Sequence, residues 1–111
     1  MNEIAWEKLP SLQALRIAMN RFTGNLPSSI GNMQSLSLLD ASDNAFEGEI
    51  PHTLSKLKHL KSLTLRNNMF RGSLQHLRTL TGLQELYIEG NNFSHSEISW
   101  LKNVSSTIIY T

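Results

Sequence analysis

The sequence predicts an α/β solenoid, in which short parallel strands stack from one coil of the chain to the next. A first observation is that leucines recur every 23 or 24 residues, at Leu12, Leu36, Leu60 and Leu83. A second is the alternating L-x-L pattern that follows each of them, which is typical of a half-buried strand. A third is that such a short copy cannot bury its apolar side alone, so the copies must stack to form one core.

The strand is the first element of each copy. Its inward positions form two further columns of apolar residues, and equivalent strands in neighbouring coils are expected to pair in parallel, about 4.8 Å apart. The two columns are Leu15, Leu39, Leu63 and Leu86, followed by Ile17, Ala41, Leu65 and Ile88.

A column of asparagines and a column of phenylalanines follow the strand. The asparagine amides are expected to turn the chain and to bond backbone groups of neighbouring coils, which makes an asparagine ladder. The phenylalanines are expected to form an aromatic spine inside the next bend. The ladder is Asn20, Asn44, Asn68 and Asn91, and the spine is Phe22, Phe46, Phe70 and Phe93.

The second half of each copy begins with glycine and an Ile-Pro or Leu-Pro pair. Proline disfavours a helix at this point, so an extended segment is predicted there. The segments "SSIGNM", "HTLSKL" and "HLRTLT" that follow are expected to form short 3₁₀ or helical turns on the convex back. Their apolar residues supply two more core columns, which are Ile30, Leu54 and Leu101, and Met33, Leu57 and Val104, with Leu77 and Leu80 of the third copy shifted by one residue.

Taken together, the columns read L-x-x-L-x-L-x-x-N-x-F-x-G-x-[IL]-P-x-x-[IL]-x-x-[LM]. This pattern resembles the leucine-rich repeat, in its plant extracellular subtype, over about residues 6–107. The resemblance implies a right-handed superhelix with a parallel concave β-sheet, short second strands and a 3₁₀ or irregular convex side. We interpret residues 1–111 as one domain, with a partial repeat at 1–11, repeats at 12–35, 36–59, 60–82 and 83–106, and the start of a further strand at 107–111.

Departures from the pattern carry further expectations. The third copy lacks the proline and one residue, so its back should be tighter or irregular. The fourth has Glu97 and Ile98 in place of the Ile-Pro pair, so its second strand should fray. In the last strand, Thr107 is placed in the leucine column and Tyr110 in the core column after it.

The ends of the chain also depart from the family pattern. Trp6 and Leu9 fall in the columns of Ile30 and Met33, so the chain opens midway through a repeat. Neither end carries the cysteine-paired caps that the resemblance implies. We therefore interpret the chain as a fragment of a longer protein, with a self-sufficient small repeat protein as the alternative.

Composition excludes several classes of function. The chain has no cysteine, so no disulfide or thiolate metal site is possible. Its net charge of +1, with dispersed charges, argues against nucleic-acid binding. No apolar run approaches the roughly 20 residues that span a bilayer, and the opening residues lack the apolar core of a signal peptide.

No residue pattern indicates catalysis, a cofactor or a metal site. The four histidines fall in unrelated columns, and neither a nucleophile elbow nor a phosphate loop is present. Any kinase activity is therefore expected to lie on another part of a longer protein. The sequons at Asn92 and Asn103 are candidate glycosylation sites if the chain enters the secretory pathway.

The strand positions that point away from the core are the candidate binding residues. They vary between copies while the core columns stay nearly fixed, which suits a surface that contacts a partner. Arg16 should oppose Asp40, and Arg66 should oppose Glu89. The position after the ladder asparagine, which holds Arg21, Ala45, Met69 and Asn92 in the four copies, is placed on the same face. The candidates are Arg16, Asp40, Ser42, Asp43, Thr64, Arg66, Asn67, Glu85, Tyr87 and Glu89.

The resemblance implies a role in recognition at the cell surface. It suggests part of the ectodomain of a plant receptor-like protein or receptor-like kinase, on the extracellular face of the plasma membrane, acting in defence or development. Its partners would be a peptide, glycan or protein ligand and possibly a co-receptor kinase, with membrane attachment through a segment outside this chain. The alternatives are a secreted inhibitor of a cell-wall hydrolase, similar to polygalacturonase-inhibiting proteins, and a non-secreted scaffold.

Overall fold

Each coil begins with a short strand, and five such strands pair in one parallel sheet in the order β1-β3-β5-β7-β8. The computed structural model describes residues 11–111. Leu39 pairs with Leu15 on one side and Leu63 on the other, and Leu63 pairs with Leu86, as the leucine columns predict. The strands of this concave sheet are β1 (Ala14–Arg16), β3 (Leu38–Asp40), β5 (Ser62–Thr64), β7 (Glu85–Tyr87) and β8 (Ile108–Tyr110).

A second parallel sheet lies beside the first, in the order β2-β4-β6. Three 3₁₀ helices of five residues each form the convex back of the described residues, 11–111, and an α-helix follows in the fourth coil. The predicted α/β solenoid is thus confirmed. The remaining elements are β2 (Thr23–Asn25), β4 (Ala45–Gly48), β6 (Met69–Phe70), the 3₁₀ helices Ser28–Asn32, His52–Lys56 and Gln75–Thr79, and α1 (His95–Val104).

The core lies between the concave sheet and the convex back, and the apolar columns fill it. Strand residues such as Leu39 and Leu63 are fully buried, as are Leu54 and Leu57 of the back. Each fully buried leucine stabilises the fold by roughly 1.5–3 kcal/mol relative to its exposed state. Because the columns run through every coil, the core is continuous along the stack.

The back of the third coil is more regular than the sequence suggested. Its 3₁₀ helix ends at Leu80 with φ −83° and ψ 72°, the same values as at Leu57 in the preceding coil. The missing residue is absorbed earlier, at Leu74, where φ is −104° and ψ is 6° while Pro27 and Pro51 are extended. The expected irregularity is therefore confined to the junction before the turn.

In the fourth coil, α1 replaces the second strand and the turn. Ser94 caps the helix by accepting the Glu97 N–H at 3.2 Å. The Glu97 side chain reaches back to the third coil, where its Oε1 accepts the Leu74 N–H at 2.8 Å. Leu101 is buried as predicted, whereas Val104, which was expected in the core, is 40% exposed. A helix has a different periodicity from a 3₁₀ turn, so it directs Val104 away from the core.

The register of the last strand corrects one expectation. Ile109 pairs with Leu86 and Tyr110 pairs with Tyr87. Ile109 therefore takes the core position, and the placement of Tyr110 in the core is wrong. Thr107 precedes the strand, and its hydroxyl donates to the Leu83 carbonyl at 2.9 Å. The expectations for Trp6 and Leu9 lie outside the described residues.

Candidate partner-binding face

The asparagine ladder holds the coils in register beneath the concave sheet. The Asn44 amide donates to the carbonyl of Ile17 in the preceding coil at 2.9 Å and to that of Ala41 in its own coil at 3.2 Å. Its Oδ1 accepts the Phe22 N–H at 3.3 Å. One side chain thus satisfies backbone groups of two coils that strand pairing leaves open. The same arrangement recurs at Asn68 and Asn91, while Asn20 bonds carbonyls of its own coil.

The phenylalanine spine runs parallel to the ladder. The rings of Phe22 and Phe46 stack with centroids 5.8 Å apart, and those of Phe46 and Phe70 with centroids 6.0 Å apart. Phe93 is half-buried and packs against the core. These stacked rings lie within the range in which aromatic pairs add stability beyond area burial.

The residue before each ladder asparagine adopts left-handed backbone geometry, which sequence reasoning missed. Its φ is 56° at Met19, 57° at Asp43, 59° at Asn67 and 73° at Gly90. Asp, Asn and Gly tolerate this conformation, and their alignment was an available signal that Met19 obscured. At Gly90 an added Cβ would also overlap Asn67 Oδ1, so a larger residue there would displace the Asn67 side chain. This sharp turn ends each strand and bounds the concave face.

In the middle of the concave face, polar side chains are hydrogen-bonded within the face or buried. Asp40 Oδ1 accepts from the Ser42 N–H at 3.1 Å and from its hydroxyl at 2.7 Å. Arg16 lies opposite Asp40 in the register, but no ion pair joins these two described residues. Ser42 is 4% exposed and Thr64 9%, which leaves little of either for a partner to contact.

Two further candidate residues, Asp43 of the second coil and Asn67 of the third, are hydrogen-bonded to each other. The Asn67 amide donates to Asp43 Oδ1 at 2.8 Å, and both residues are exposed. Their side chains therefore form a small polar surface at the edge of the face.

The end of the face nearest the C-terminus carries an aromatic and charged cluster. Arg66 and Glu89 form the expected ion pair, at 4.0 Å, and the Arg66 guanidinium lies 5.5 Å from the centroid of the Tyr87 ring. Tyr87 stacks on Tyr110, with centroids 4.3 Å apart and planes within 6° of parallel. The sequence analysis did not place Tyr110 on this face, because it assumed that the residue paired with Leu86 lies 24 positions later. The paired residue is Ile109, 23 positions later, so Tyr110 pairs with Tyr87. We call Arg66, Tyr87 and Tyr110 the Tyr–Arg stack.

The phenol of Tyr87 is held in its neutral form. Desolvation and the nearby Glu85 carboxylate raise the pKa of Tyr87 above its ordinary value of 10.0. The hydroxyl lies 3.4 Å from Glu85 Oε2, toward which it donates. The Tyr87 ring is therefore neutral at physiological pH, and the Glu85 carboxylate lies beside it.

Four of the residues that were placed on the concave face lie elsewhere. Ala45 and Met69 begin β4 and β6 of the second sheet. The Asn92 N–H donates to the Phe70 carbonyl at 2.8 Å, which continues the hydrogen bonding of that sheet into the fourth coil. Arg21, which follows the ladder residue Asn20 of the first coil, lies just before β2. The left-handed residue turns the chain before this column, which is why the concave face is narrower than expected.

The second sheet borders an open groove of about 370 Å³, which Asn92 helps to line. Asn92 is exposed there, and Asn103 is exposed on α1. Both sequons are therefore accessible on the surface of the folded chain.

The rest of the described surface was searched for groups that could hold a metal ion. His52 and His76 lie 6.0 Å apart by ring centroids on the convex side, and no cluster of three or more metal-ligating side chains occurs within residues 11–111. Over the same range no helix has the length and apolarity to cross a membrane.

The Leucine Rich Repeat family model matches residues 11–33, 35–57 and 82–104, which is more than half of the chain. The chain belongs to the leucine-rich repeat family. This fold is typically a non-enzymatic binding module, and repeat proteins of this kind commonly bind through their concave surfaces. Comparison with curated proteins gave no match.

Solved leucine-rich repeat structures resemble the chain closely. A leucine-rich repeat protein of Leptospira interrogans aligns over 94% of the chain, at 28% identity and a TM-score of 0.85. The ectodomain of the receptor kinase SOBIR1 from Arabidopsis thaliana aligns over 95%, at 28% identity and a TM-score of 0.78. The chain spans 26% and 59% of those two proteins.

A third relative was solved with a bound factor. It is the ectodomain of the plant receptor kinase GASSHO1/SCHENGEN3 from Arabidopsis thaliana in complex with CASPARIAN STRIP INTEGRITY FACTOR 2. It aligns over 94% of the chain and 13% of its own length, at 34% identity and a TM-score of 0.75. The leucine-rich repeats of this chain are thus of the type found in plant receptor-kinase ectodomains.

Proposed function

We propose that this chain is a recognition module of a plant cell-surface receptor, either a receptor-like protein or a receptor-like kinase, and that its concave sheet binds a peptide or protein partner. The observation that carries the proposal is the Tyr–Arg stack on the solvent side of the concave sheet. Tyrosine and arginine are enriched among the hot-spot residues that carry most of the binding energy at protein interfaces. The similarity to receptor-kinase ectodomains supports the same conclusion.

The position of the stack favours a role in binding over a purely structural one. Tyr87 and Arg66 lie on the solvent side of the sheet, where the core does not need them, and Arg66 is 44% exposed. Exposed ion pairs contribute only about 0–1 kcal/mol to folding. The stack is therefore dispensable for the fold and available to a partner.

A comparative capture experiment tests the proposal. Extracellular fluid from plant tissue is passed over the immobilised chain, over an Arg66→Ala/Tyr87→Ala variant and over a convex control, Lys56→Ala/Lys58→Ala. We expect mass spectrometry to identify a protein or peptide that the wild type and the convex control retain and that the concave variant loses. A partner retained equally by all three would place binding elsewhere and contradict the proposal.

The proposal includes a place on the extracellular face of the plasma membrane, glycosylation at Asn92 or Asn103, and a co-receptor kinase as a second partner. Tissue extract probed with an antibody to this chain, in soluble and membrane fractions and with and without glycosidase, tests the first two. We expect a glycosidase-sensitive band in the membrane fraction. A soluble band near 12.5 kDa that glycosidase leaves unchanged would contradict both.

A further inference from the structure

The open groove beside the second sheet is a lateral surface to which all four coils contribute. Its volume of about 370 Å³ falls within the range of about 300–1,000 Å³ for small-molecule sites. The lining residues are Asn25, Glu47, Gly48, Met69, Arg71 and Asn92. Stacking adds coils along the axis of a solenoid, so further coils would extend this lateral surface and would not cover it.

The walls of the groove follow from the alternation of side chains in the second sheet. Glu47 pairs with Asn25 on one side and with Met69 on the other, and all three residues are exposed. Phe46 and Phe70, whose side chains point to the opposite side of the sheet, are buried. One row of side chains across β2, β4 and β6 therefore faces the groove.

Two charged groups of the groove are free to bond a ligand. Arg71 follows Met69 by two residues, so it lies on the same side of the sheet. Within residues 11–111, neither the Arg71 guanidinium nor the Glu47 carboxylate makes an ion pair or a hydrogen bond. Met69, beside both, is 45% exposed. The groove thus combines a donor, an acceptor and an apolar surface.

Asn92 brings a sequon into this groove. Its N–H donates to the Phe70 carbonyl, which in parallel pairing places Asn92 beside Arg71. Its side-chain amide is exposed and has no hydrogen-bond partner among the described residues. The amide of the neighbouring Asn91 is occupied by the ladder. Of these two asparagines, only Asn92 has an amide nitrogen that is free for attachment of a sugar.

We propose that this groove is a saccharide-binding site, and that its occupant is the first N-acetylglucosamine unit of a glycan on Asn92. The inference rests on the glycosylation included in the proposed function and adds the place where the sugar lies. In the transfer, the Asn92 amide nitrogen forms a bond to C1 of the sugar and loses one proton to a base. The bond between C1 and the oxygen of a lipid-linked pyrophosphate donor breaks, and its electron pair leaves with the pyrophosphate.

The functional groups of the sugar match those of the groove. The Glu47 carboxylate accepts from a sugar hydroxyl, and the Arg71 guanidinium donates to a hydroxyl or to the acetamide carbonyl. The acetamide methyl group covers the exposed Met69 side chain. Because the sugar is tethered to the wall of the groove, it loses little of the translational freedom that a free sugar would lose on binding.

The experiment compares the full chain with one sugar at either sequon. Asn103→Gln is secreted from a glycosylating host and trimmed with an endoglycosidase that leaves one N-acetylglucosamine on Asn92. Asn92→Gln, treated in the same way, carries the sugar on Asn103 of α1 and is the matched control. Unglycosylated forms of both come from a bacterial host, and glycopeptide mass spectrometry verifies each attachment.

The methionine methyl groups, isotopically labelled, report on the groove by NMR. We expect the sugar at Asn92 to shift the Met69 signal and to leave the signals of Met19, which is exposed outside the groove, and of buried Met33 unchanged. The melting temperature should rise by at least about 2 °C, since hydrogen bonds to the sugar stabilise only the folded state. The sugar at Asn103 should produce neither effect.

Two double variants of the Asn103→Gln chain connect the response to the groove. In Glu47→Ala/Arg71→Ala, the sugar at Asn92 should raise the melting temperature by less than half as much. In Lys56→Ala/Lys58→Ala, which removes two charges from the convex back, the full rise should remain. All four side chains are exposed, so both variants should fold, and melts of their unglycosylated forms check this.

Three results would overturn the inference. They are a Met69 signal that does not respond to the sugar, a melting temperature that rises no more than in the Asn103 control, and a rise that survives Glu47→Ala/Arg71→Ala. Each would leave glycosylation of Asn92 intact. Absence of sugar from Asn92 in the secreted chain would refute the inference together with that glycosylation. Concave binding is independent of all these outcomes, because the capture experiment tests it with different variants.

Discussion

Met19 is the residue whose backbone conformation least suits its side chain. It shares left-handed geometry with Asp43, Asn67 and Gly90, yet it has neither their short polar side chain nor the freedom of glycine. Its side chain is 81% exposed, so packing does not compensate. Left-handed geometry costs an ordinary residue roughly 1–2 kcal/mol.

We therefore predict that Met19→Gly stabilises the chain by about 1 kcal/mol, after allowance for the greater freedom of glycine in the unfolded state. Urea denaturation measures the change. The matched control is Met69→Gly in β6, where the backbone is extended and glycine should destabilise by roughly 0.5–1 kcal/mol. If Met19→Gly lowers stability as much as the control does, the conformational strain at Met19 is not significant.

Tyr87 should give the chain an alkaline dependence of stability. Its pKa in the folded state lies above the unfolded value of 10.0, because desolvation and Glu85 favour the neutral phenol. The folded state thus binds the proton more tightly, and this contribution is complete below the unfolded pKa and is lost as pH rises through the folded one. Stability should fall over that alkaline range.

We predict that Tyr87→Phe, which keeps the ring but cannot ionise, makes this alkaline fall shallower. Urea midpoints of the two proteins, measured from about pH 9 to about pH 11.5, give the comparison. The difference between them should grow with pH. Parallel curves would mean that Tyr87 ionisation is not coupled to folding.

At the scale of the elements, we expect the asparagine ladder to contribute most, per side chain, to the free energy of unfolding. Asn68 is buried, and it serves the carbonyls of Ala41 and Leu65 and the N–H of Phe46. Removing it leaves buried backbone groups without partners, each at a cost of about 1–3 kcal/mol. Asn20 has an equivalent place in the first coil but is exposed.

We predict that Asn68→Ala destabilises the chain by about 2–4 kcal/mol and that Asn20→Ala costs less than about 1 kcal/mol. Thermal melts followed by circular dichroism measure both. Similar losses in the two variants would indicate that the ladder acts through each turn separately and not through its bonds between coils.

Besides packing on the core through Leu101, helix α1 is hydrogen-bonded to the third coil through Glu97. Glu97 accepts the N–H of Leu74 and lies in the first turn of the helix, where a carboxylate is also favoured by the helix dipole.

We predict that Glu97→Ala destabilises the chain by about 1–3 kcal/mol, whereas Glu97→Gln, which keeps an acceptor oxygen, costs less than half as much. Hydrogen exchange at the Leu74 amide provides a local measurement. It should accelerate in the alanine variant and stay close to wild type in the glutamine variant. Unchanged exchange in both would show that this bond does not protect the amide.

At the scale of the molecule, the coils form one continuous core, so disruption at the centre should affect all of them. Leu63 lies on the middle strand of the concave sheet and is fully buried. We predict that Leu63→Asp unfolds the chain because it buries an unpaired charge, and that Leu63→Ala costs about 2–5 kcal/mol.

The matched control lies on the neighbouring strand but points to solvent. Tyr87→Ala should remain folded with a loss below about 1.5 kcal/mol, since it removes ring stacking and little core. Circular dichroism melts distinguish the outcomes. A native-like melt for Leu63→Asp, or unfolding by Tyr87→Ala, would contradict the assignment of inner and outer positions.

The periodic sequence determined the repeated architecture by itself. Leucine, asparagine and phenylalanine recur at fixed offsets, and each offset has one physical meaning in a stacked coil, namely a core position, a turn that bonds neighbouring backbones, or a ring in the bend. The concave sheet, the 3₁₀ turns on the back and the outward direction of Arg66 and Tyr87 therefore follow from local pattern.

The places where the repeat breaks were decided by tertiary structure. The missing residue of the third coil was absorbed at Leu74, and the fourth coil formed α1, which moved Val104 out of the core. The same coil advanced the last strand by one residue, and because side chains alternate along a strand, that step placed Tyr110 beside Tyr87 on the outer face. Periodicity cannot fix such a step, since it depends on which packing of the irregular coil buries the most apolar surface.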